Sequence, residues 1–138
     1  MDFDPTEYAV LRAVVDRILP RDQDPGAWDA GAAEYLARQL DGDLLALREV
    51  VRAGLAALDA EARMRSGGGF AALGPEAQDA LLSDVESGAV RAEWTVSPPQ
   101  FFGLLVRTTA EGFYSDPGQG GNHGGVSWAM TGFEREPA

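Results

Sequence analysis

Four times along this chain a proline directly follows an acidic or small residue and precedes an apolar series: Asp4-Pro5, Asp24-Pro25, Gly74-Pro75 and Ser97-Pro98. Proline holds φ near the helical value and has no N–H to donate, so it suits the first turn of a helix and breaks the interior. Each pair therefore marks a helix start and forbids a helix running through it. Glu7, three residues after Asp4, and Gln100, three after Ser97, complete capping-box patterns. Pro20, Gly42, the run Gly67-Gly68-Gly69 and Gly88 supply the stops.

Between these marks the apolar residues recur at helical spacing. Tyr8, Leu11, Val14, Val15, Ile18 and Leu19 form the first series. A second helix is expected from Asp24-Pro25 through Trp28, Ala32, Tyr35, Leu36 and Leu40. The third is expected to be the longest, with Leu44, Leu47, Val51, Leu55 and Leu58, closed by Arg63, Arg65 and the glycine run. Phe70 and Leu73 anchor a linker, and the fourth helix carries Ala77, Leu81, Leu82 and Val85. Trp94 falls in a connector before the fifth helix. That helix, with Phe101, Phe102, Leu104, Leu105 and Val106, is the most apolar and is expected at the centre, ending near Gly112. No stretch alternates as a half-buried strand does. The expected fold is all-α: one domain over 1–138, a bundle of about five helices followed by a long irregular C-terminal loop from 113 onward.

That loop has a composition unlike the rest. Phe113 to Phe133 contains Gly118, Gly120, Gly121, Gly124, Gly125 and Gly132, the chain's one histidine, His123, and an Asp116-Pro117 turn signal. Ordering so many glycines is entropically expensive. Yet Phe113, Tyr114, Val126, Trp128, Met130 and Phe133 punctuate the segment, which a disordered tail does not require. The segment reads as an ordered loop pinned by its aromatic residues onto the helices or onto another protein.

Charge and composition exclude whole classes of function. With 22 acidic and 11 basic residues the net charge is −11, unsuited to nucleic acid or an anionic membrane. No cysteine occurs, which removes disulfides, thiolate metal sites and thiol nucleophiles. All basic residues are arginine, so lysine-based Schiff chemistry and the P-loop lysine are absent. No apolar run has the roughly 20 residues that span a bilayer, and the start Met-Asp-Phe-Asp-Pro carries acid where a secretory signal carries base. As written, the chain is expected in the cytoplasm.

The candidate chemical groups are sparse. Gly118 to Gly125 is glycine-rich, but His123 stands where a dinucleotide fingerprint needs glycine, and the segment follows a helix rather than a strand. Ser115, Asp116 and His123 can be written as a Ser-His-Asp set, without the nucleophile elbow such a serine needs. Asp22, Asp24 and Asp29, and Asp41 with Asp43, lack the ligand series of a calcium loop, and helix capping by Asp24 and Asp43 is the better account. No catalytic, cofactor or metal site is expected in this chain. Two alternatives stay open: a small stand-alone enzyme using His123 with Asp116 or Asn122, and a homo-oligomeric helical scaffold.

Two stretches together carry a resemblance. Ile18-Leu19-Pro20-Arg21-Asp22 runs into Pro25-Gly26-Ala27, and Gly112-Phe113-Tyr114-Ser115-Asp116-Pro117 is followed by Gly120-Gly121-Asn122, Val126-Ser127-Trp128 and Gly132-Phe133. They resemble the gluconate 2-dehydrogenase subunit 3 family, small subunits of bacterial flavin-dependent sugar and sugar-acid dehydrogenases, over essentially the whole chain. The resemblance implies a non-catalytic accessory subunit that supports folding, stability or export of a large glucose-methanol-choline type partner, which binds FAD and abstracts hydride. It also implies that Pro20, Asp22, Pro25, Gly26, Tyr114, Asp116, Pro117, Gly120, Gly121, Asn122 and Trp128, with His123 beside them, order the loop or meet that partner. An exposed apolar patch on the isolated chain is the physical corollary. Many members carry a twin-arginine export signal; this chain starts directly at its first helix, and a periplasmic location would follow if such a signal preceded it. Gln119 stands where an aromatic residue often precedes the paired glycines.

Overall fold

The computed structural model describes residues 1–20 and 26–114. Among these residues the regular structure is helical throughout: α1 (Pro5–Ile18), α2 (Ala32–Asp41), α3 (Arg48–Ser66), α4 (Pro75–Ser87) and α5 (Pro98–Tyr114). Short 3-10 turns at Leu45–Leu47 and Phe70–Ala72 precede α3 and α4.

The first helix starts as its residues dictate. Asp4 Oδ1 accepts the Glu7 N–H at 2.7 Å and Glu7 Oε1 accepts the Asp4 N–H at 2.9 Å, a complete capping box ahead of Pro5. Ser97 Oγ accepts the Gln100 N–H at 3.2 Å at the head of α5. Gly67 and Gly88 end α3 and α4 with φ of 84° and 81°, a left-handed conformation that costs a side-chain-bearing residue about 1–2 kcal/mol.

Five expectations need correction. The second helix begins at Ala32, because 26–31 form a turn that ends at Gly31 with φ 89°; Asp24 and Pro25 lie outside the described residues. The third begins at Arg48 after the 3-10 turn, and its N-cap is Leu47 with no side-chain cap, so Asp43 does not cap it. Tyr8 is 42% exposed, because its ring meets Trp28 edge-on at 5.0 Å instead of entering the core. Ala77 is exposed, the buried face of α4 being Gln78, Leu81, Leu82 and Val85. The fifth helix also runs two residues past Gly112, so Phe113 and Tyr114 are helical.

α5 is central as expected: it packs on α1, α2, α3 and α4 alike. Phe101, Leu104, Leu105, Thr108, Thr109, Gly112 and Phe113 form its buried side. The Thr108 hydroxyl donates to the Leu104 carbonyl at 2.9 Å, which lets a polar residue sit in the core. Gly54 on α3 faces Phe101 of α5. A Cβ there would lie 2.0 Å from the Phe101 ring, so glycine leaves the room that ring occupies.

The irregular chain between α4 and α5 is fixed by one side chain. Glu61 of α3 is fully buried. Its Oε2 accepts the Arg91 N–H at 2.8 Å, and its Oε1 accepts the Ala92 N–H at 2.8 Å and the Trp94 indole N–H at 3.2 Å. Arg65, one turn on, donates to Oε2 at 3.0 Å and also bonds Asp84 at 2.6 Å and the Ala89 carbonyl at 3.0 Å. Burial pushes the Glu61 carboxyl up, but the N–H groups of Ala92, Arg91 and Trp94 and the Arg65 guanidinium outweigh it and hold it below the usual carboxylate range. Trp94 then stacks at a tilt on Phe101, 6.0 Å between centroids, so Glu61 helps to set where α5 begins.

Candidate functional site

The end of the bundle where α1 stops, α2 starts and α5 stops holds the described part of both motif stretches. Pro20 has no N–H to extend α1 and is exposed after it. The Leu19 N–H closes on the Val15 carbonyl at 3.0 Å, and the Leu19 carbonyl accepts the Ala27 N–H at 3.1 Å. One hydrogen bond thus joins the described chain on either side of residues 21–25.

Beyond that bond the chain turns tightly. The Gly26 carbonyl accepts the Ala30 N–H at 3.1 Å, the Ala27 carbonyl accepts the Ala32 N–H at 3.0 Å, and Asp29 Oδ2 accepts the Gly26 N–H at 3.4 Å. Ala27 and Ala30 are fully buried. A helix continued from Pro25 would have no reason to break here; the left-handed Gly31 supplies one.

α5 reaches the same place from the other direction. Gly112 lies so close to α2 that a Cβ would stand 3.0 Å from the Ala32 Cα and 3.1 Å from the Tyr35 Cβ. A side chain there would force α2 or Tyr35 to give way, so glycine suits the close approach. The Tyr35 hydroxyl donates to Glu111 Oε1 at 3.4 Å, and burial, reinforced by the Glu111 charge, raises the Tyr35 pKa. Phe113 is buried with its ring edge-on to Tyr114 at 4.8 Å, and Tyr114 is half exposed. Gly26 and Tyr114 therefore belong to one connected corner, through Ala27, Ala32 and Gly112. Pro20 flanks it.

On the α1 side of the corner is an open cleft of about 270 Å³, lined by Arg12, Asp16, Arg17, Pro20, Trp28 and Asp29. Arg12 lies over the Trp28 ring at 5.4 Å and 3.7 Å from Asp16. Arg17 grips Asp79 with two hydrogen bonds, 2.8 and 3.2 Å. Burial raises the Asp16 pKa, Arg12 opposes it and Asp29 adds to it. These cations are engaged with carboxylates and with Trp28, which makes the cleft a set of structural pairings. Among the described residues no group of three or more histidines or acids could hold a metal ion.

Of the residues singled out from the sequence, Pro20, Gly26 and Tyr114 are placed here. Asp22, Pro25, Asp116, Pro117, Gly120, Gly121, Asn122, His123 and Trp128 lie outside the described residues. Glu61 is not read as special from the sequence, and Gly112 is read as a helix end and the first residue of a motif stretch, not as a contact with α2. Glu61 left a signal: it extends Val51, Leu55 and Leu58 by one more step of three, and a carboxylate at a core position needs buried donors. The Gly112 contact left only a glycine inside a helical series.

Compared with known proteins, residues 5–134 match the family model described as gluconate 2-dehydrogenase subunit 3. No curated protein and no solved structure matches the chain. The match takes in both motif stretches and all five helices.

Proposed function

Because this chain belongs to the gluconate 2-dehydrogenase subunit 3 family, we propose that it is the non-catalytic accessory subunit of a flavin-dependent sugar or sugar-acid dehydrogenase of the glucose-methanol-choline type. Its task in this reading is to support the folding, stability or assembly of the catalytic subunit. The observation that carries it is the match to the family model over residues 5–134. Two features support it. The described residues are helical and contain no strand–glycine turn–helix of the kind that cradles a dinucleotide, and in this reading the partner holds FAD. The titratable groups of the corner are tied into ion pairs and caps rather than arranged as a nucleophile with its base.

Pro20, Asp22, Pro25, Gly26, Tyr114, Asp116, Pro117, Gly120, Gly121, Asn122, His123 and Trp128 act in this reading as loop-ordering or partner-facing residues. The corner joining Gly26 to Gly112 is the described part of that surface. The test is to purify the tagged chain from its native host and record the mass spectrum and absorption of what accompanies it. A stoichiometric large protein with a flavin spectrum and sugar-acid dehydrogenase activity is expected. A chain recovered alone and colourless at native expression would overturn the reading, and a His123→Ala chain that loses turnover of its own would replace it with an enzyme.

A further inference from the structure

The central helix α5 is covered by four other helices and still leaves a face bare. Phe101, Leu104, Leu105, Thr108, Gly112 and Phe113 point inward. On the other side Gly103, Val106, Ala110 and Tyr114 follow one another at spacings of three and four, with Phe102 half-buried at the margin. Val106 is 37% and Tyr114 50% exposed, and a Cβ on Gly103 would meet nothing within 4 Å. At 1.5 Å per residue this stripe is roughly 17 Å long from Gly103 to Tyr114.

Its electrostatics differ from the rest of the chain. In a protein with 22 acidic residues, Trp94 to Ala110 contains none, and between Trp94 and Phe133 only Glu111 and Asp116 are acidic. Two charges lie on the exposed side of α5: Glu111, whose Oε1 accepts the Tyr35 hydroxyl, and one turn before it Arg107. Arg107 is exposed and makes no ion pair among the described residues, whereas Arg12, Arg17, Arg48, Arg52, Arg63 and Arg65 all pair with carboxylates. Interfaces are poor in acidic residues and rich in aromatic residues and arginine. An exposed guanidinium with no ion pair of its own suits a carboxylate presented by another protein, because the fork geometry is shared.

We propose that this face of α5, Phe102, Gly103, Val106, Arg107, Ala110 and Tyr114, docks against the catalytic subunit, on an apolar surface bearing a carboxylate that receives Arg107. The inference rests on the accessory-subunit reading and adds to it the place and the chemistry of contact. The stripe runs continuously into the corner at Tyr114.

The experiment measures co-purification of the flavin-containing dehydrogenase with the tagged chain, wild type against Val106→Asp, Arg107→Glu, Arg107→Lys and Met64→Asp. Met64 is 61% exposed on α3 and serves as an apolar surface position away from the stripe. Circular dichroism and thermal melting confirm that each variant is folded, and all three positions are exposed enough for that to hold. Val106→Asp and Arg107→Glu are expected to lower recovered flavoprotein at least roughly tenfold, Arg107→Lys less, and Met64→Asp not at all. If wild type recovers the dehydrogenase and both stripe variants recover it equally well, the docking face is wrong while the accessory role stands. If wild type recovers no dehydrogenase, the accessory role itself fails. Loss of binding in Met64→Asp as well would overturn the assignment to α5. So would a wild-type homodimer that Val106→Asp dissociates without touching the heterocomplex, since the face would then belong to a second copy.

Discussion

Two stretches of irregular chain lie against the helices of this protein, and they are held down in opposite ways. The α4–α5 connection, residues 89–94, is fixed from outside itself by Glu61, which gathers two backbone N–H groups and an indole N–H into the core. The 26–31 turn is fixed from within by backbone bonds, Ala30 to Gly26 and Ala32 to Ala27, and by the left-handed Gly31. Buried N–H groups must find acceptors in either case. Where the chain can curl on itself, glycine and backbone carbonyls suffice. Where it must lie extended, a side chain from another helix supplies the acceptors, and the fold becomes dependent on one charge.

The largest expected difference follows from that dependence. Glu61→Ala strands the Arg91, Ala92 and Trp94 donors and leaves Arg65 without one of its carboxylates, and should cost about 3–5 kcal/mol, read as a drop in the urea midpoint. Glu61→Gln, which keeps the shape and loses the charge, should cost about 1–3 kcal/mol. A destabilisation of Glu61→Ala below that of Gly31→Ala would break the comparison. Gly31→Ala should cost about 1–2 kcal/mol, the strain of a side chain at φ 89°, with hydrogen exchange rising at 27–32 and little changed at 89–94.

Asp59 gives an intermediate case, since its Oδ1 accepts the Phe70 N–H at 2.9 Å and its Oδ2 pairs with an exposed Arg63. Asp59→Ala should cost about 1 kcal/mol and Asp59→Asn less, because the exposed pair contributes little. Asp43→Ala, removing an acid that caps nothing, should stay within about 0.5 kcal/mol by thermal melting.

Acid separates the two regions by sign. The Glu61 carboxyl is held below its ordinary value in the folded chain, so its contribution is present above the unfolded value and disappears as pH falls through the folded one. The Asp16 carboxyl, beside the turn, is raised, so its contribution is greatest below the unfolded value and is lost as pH rises through the folded one. Protection of the amides at 90–95 should therefore weaken on acidification from pH 5 downward, while α1 near Asp16 gains over the same descent. Exchange rates corrected for intrinsic pH dependence test this, and a parallel response of both regions would contradict it.

The sequence announces some of these elements more clearly than others. Asp4-Pro5-Thr6-Glu7 encodes its capping box in adjacent residues, and Gly67 and Gly88 end helices by a local conformational rule, so these were legible. The centrality of α5 was legible from its apolar density. The start of α2 was not, because Gly31 decides it against a cap-and-proline signal upstream. The start of α3 was not, because Leu44 and Leu47 keep helical spacing through a 3-10 turn that spacing alone does not separate from a helix. Of the corner, Pro20, Gly26 and Tyr114 were legible as motif residues, but the contact that joins them through Gly112 and Ala32 is tertiary and leaves no periodic trace. Glu61 interrupts a hydrophobic series, which is a trace, though its three donors lie 30 to 33 residues away.

That distance sets an order of events during synthesis. When α3 has been made, the groups that satisfy Glu61 have not, and at 5–20 residues per second roughly 2–6 seconds pass before Trp94 is added. During that interval the carboxylate stays hydrated, with Arg65 one turn away as its nearest cation, and the α3 face that carries it stays open. The Arg91–Trp94 stretch closes that face as it arrives, bringing the head of α5 with it. The bundle is thus sealed by its last helix, and a nascent chain halted before Arg91 should show α3 amides exchanging freely where the finished chain protects them.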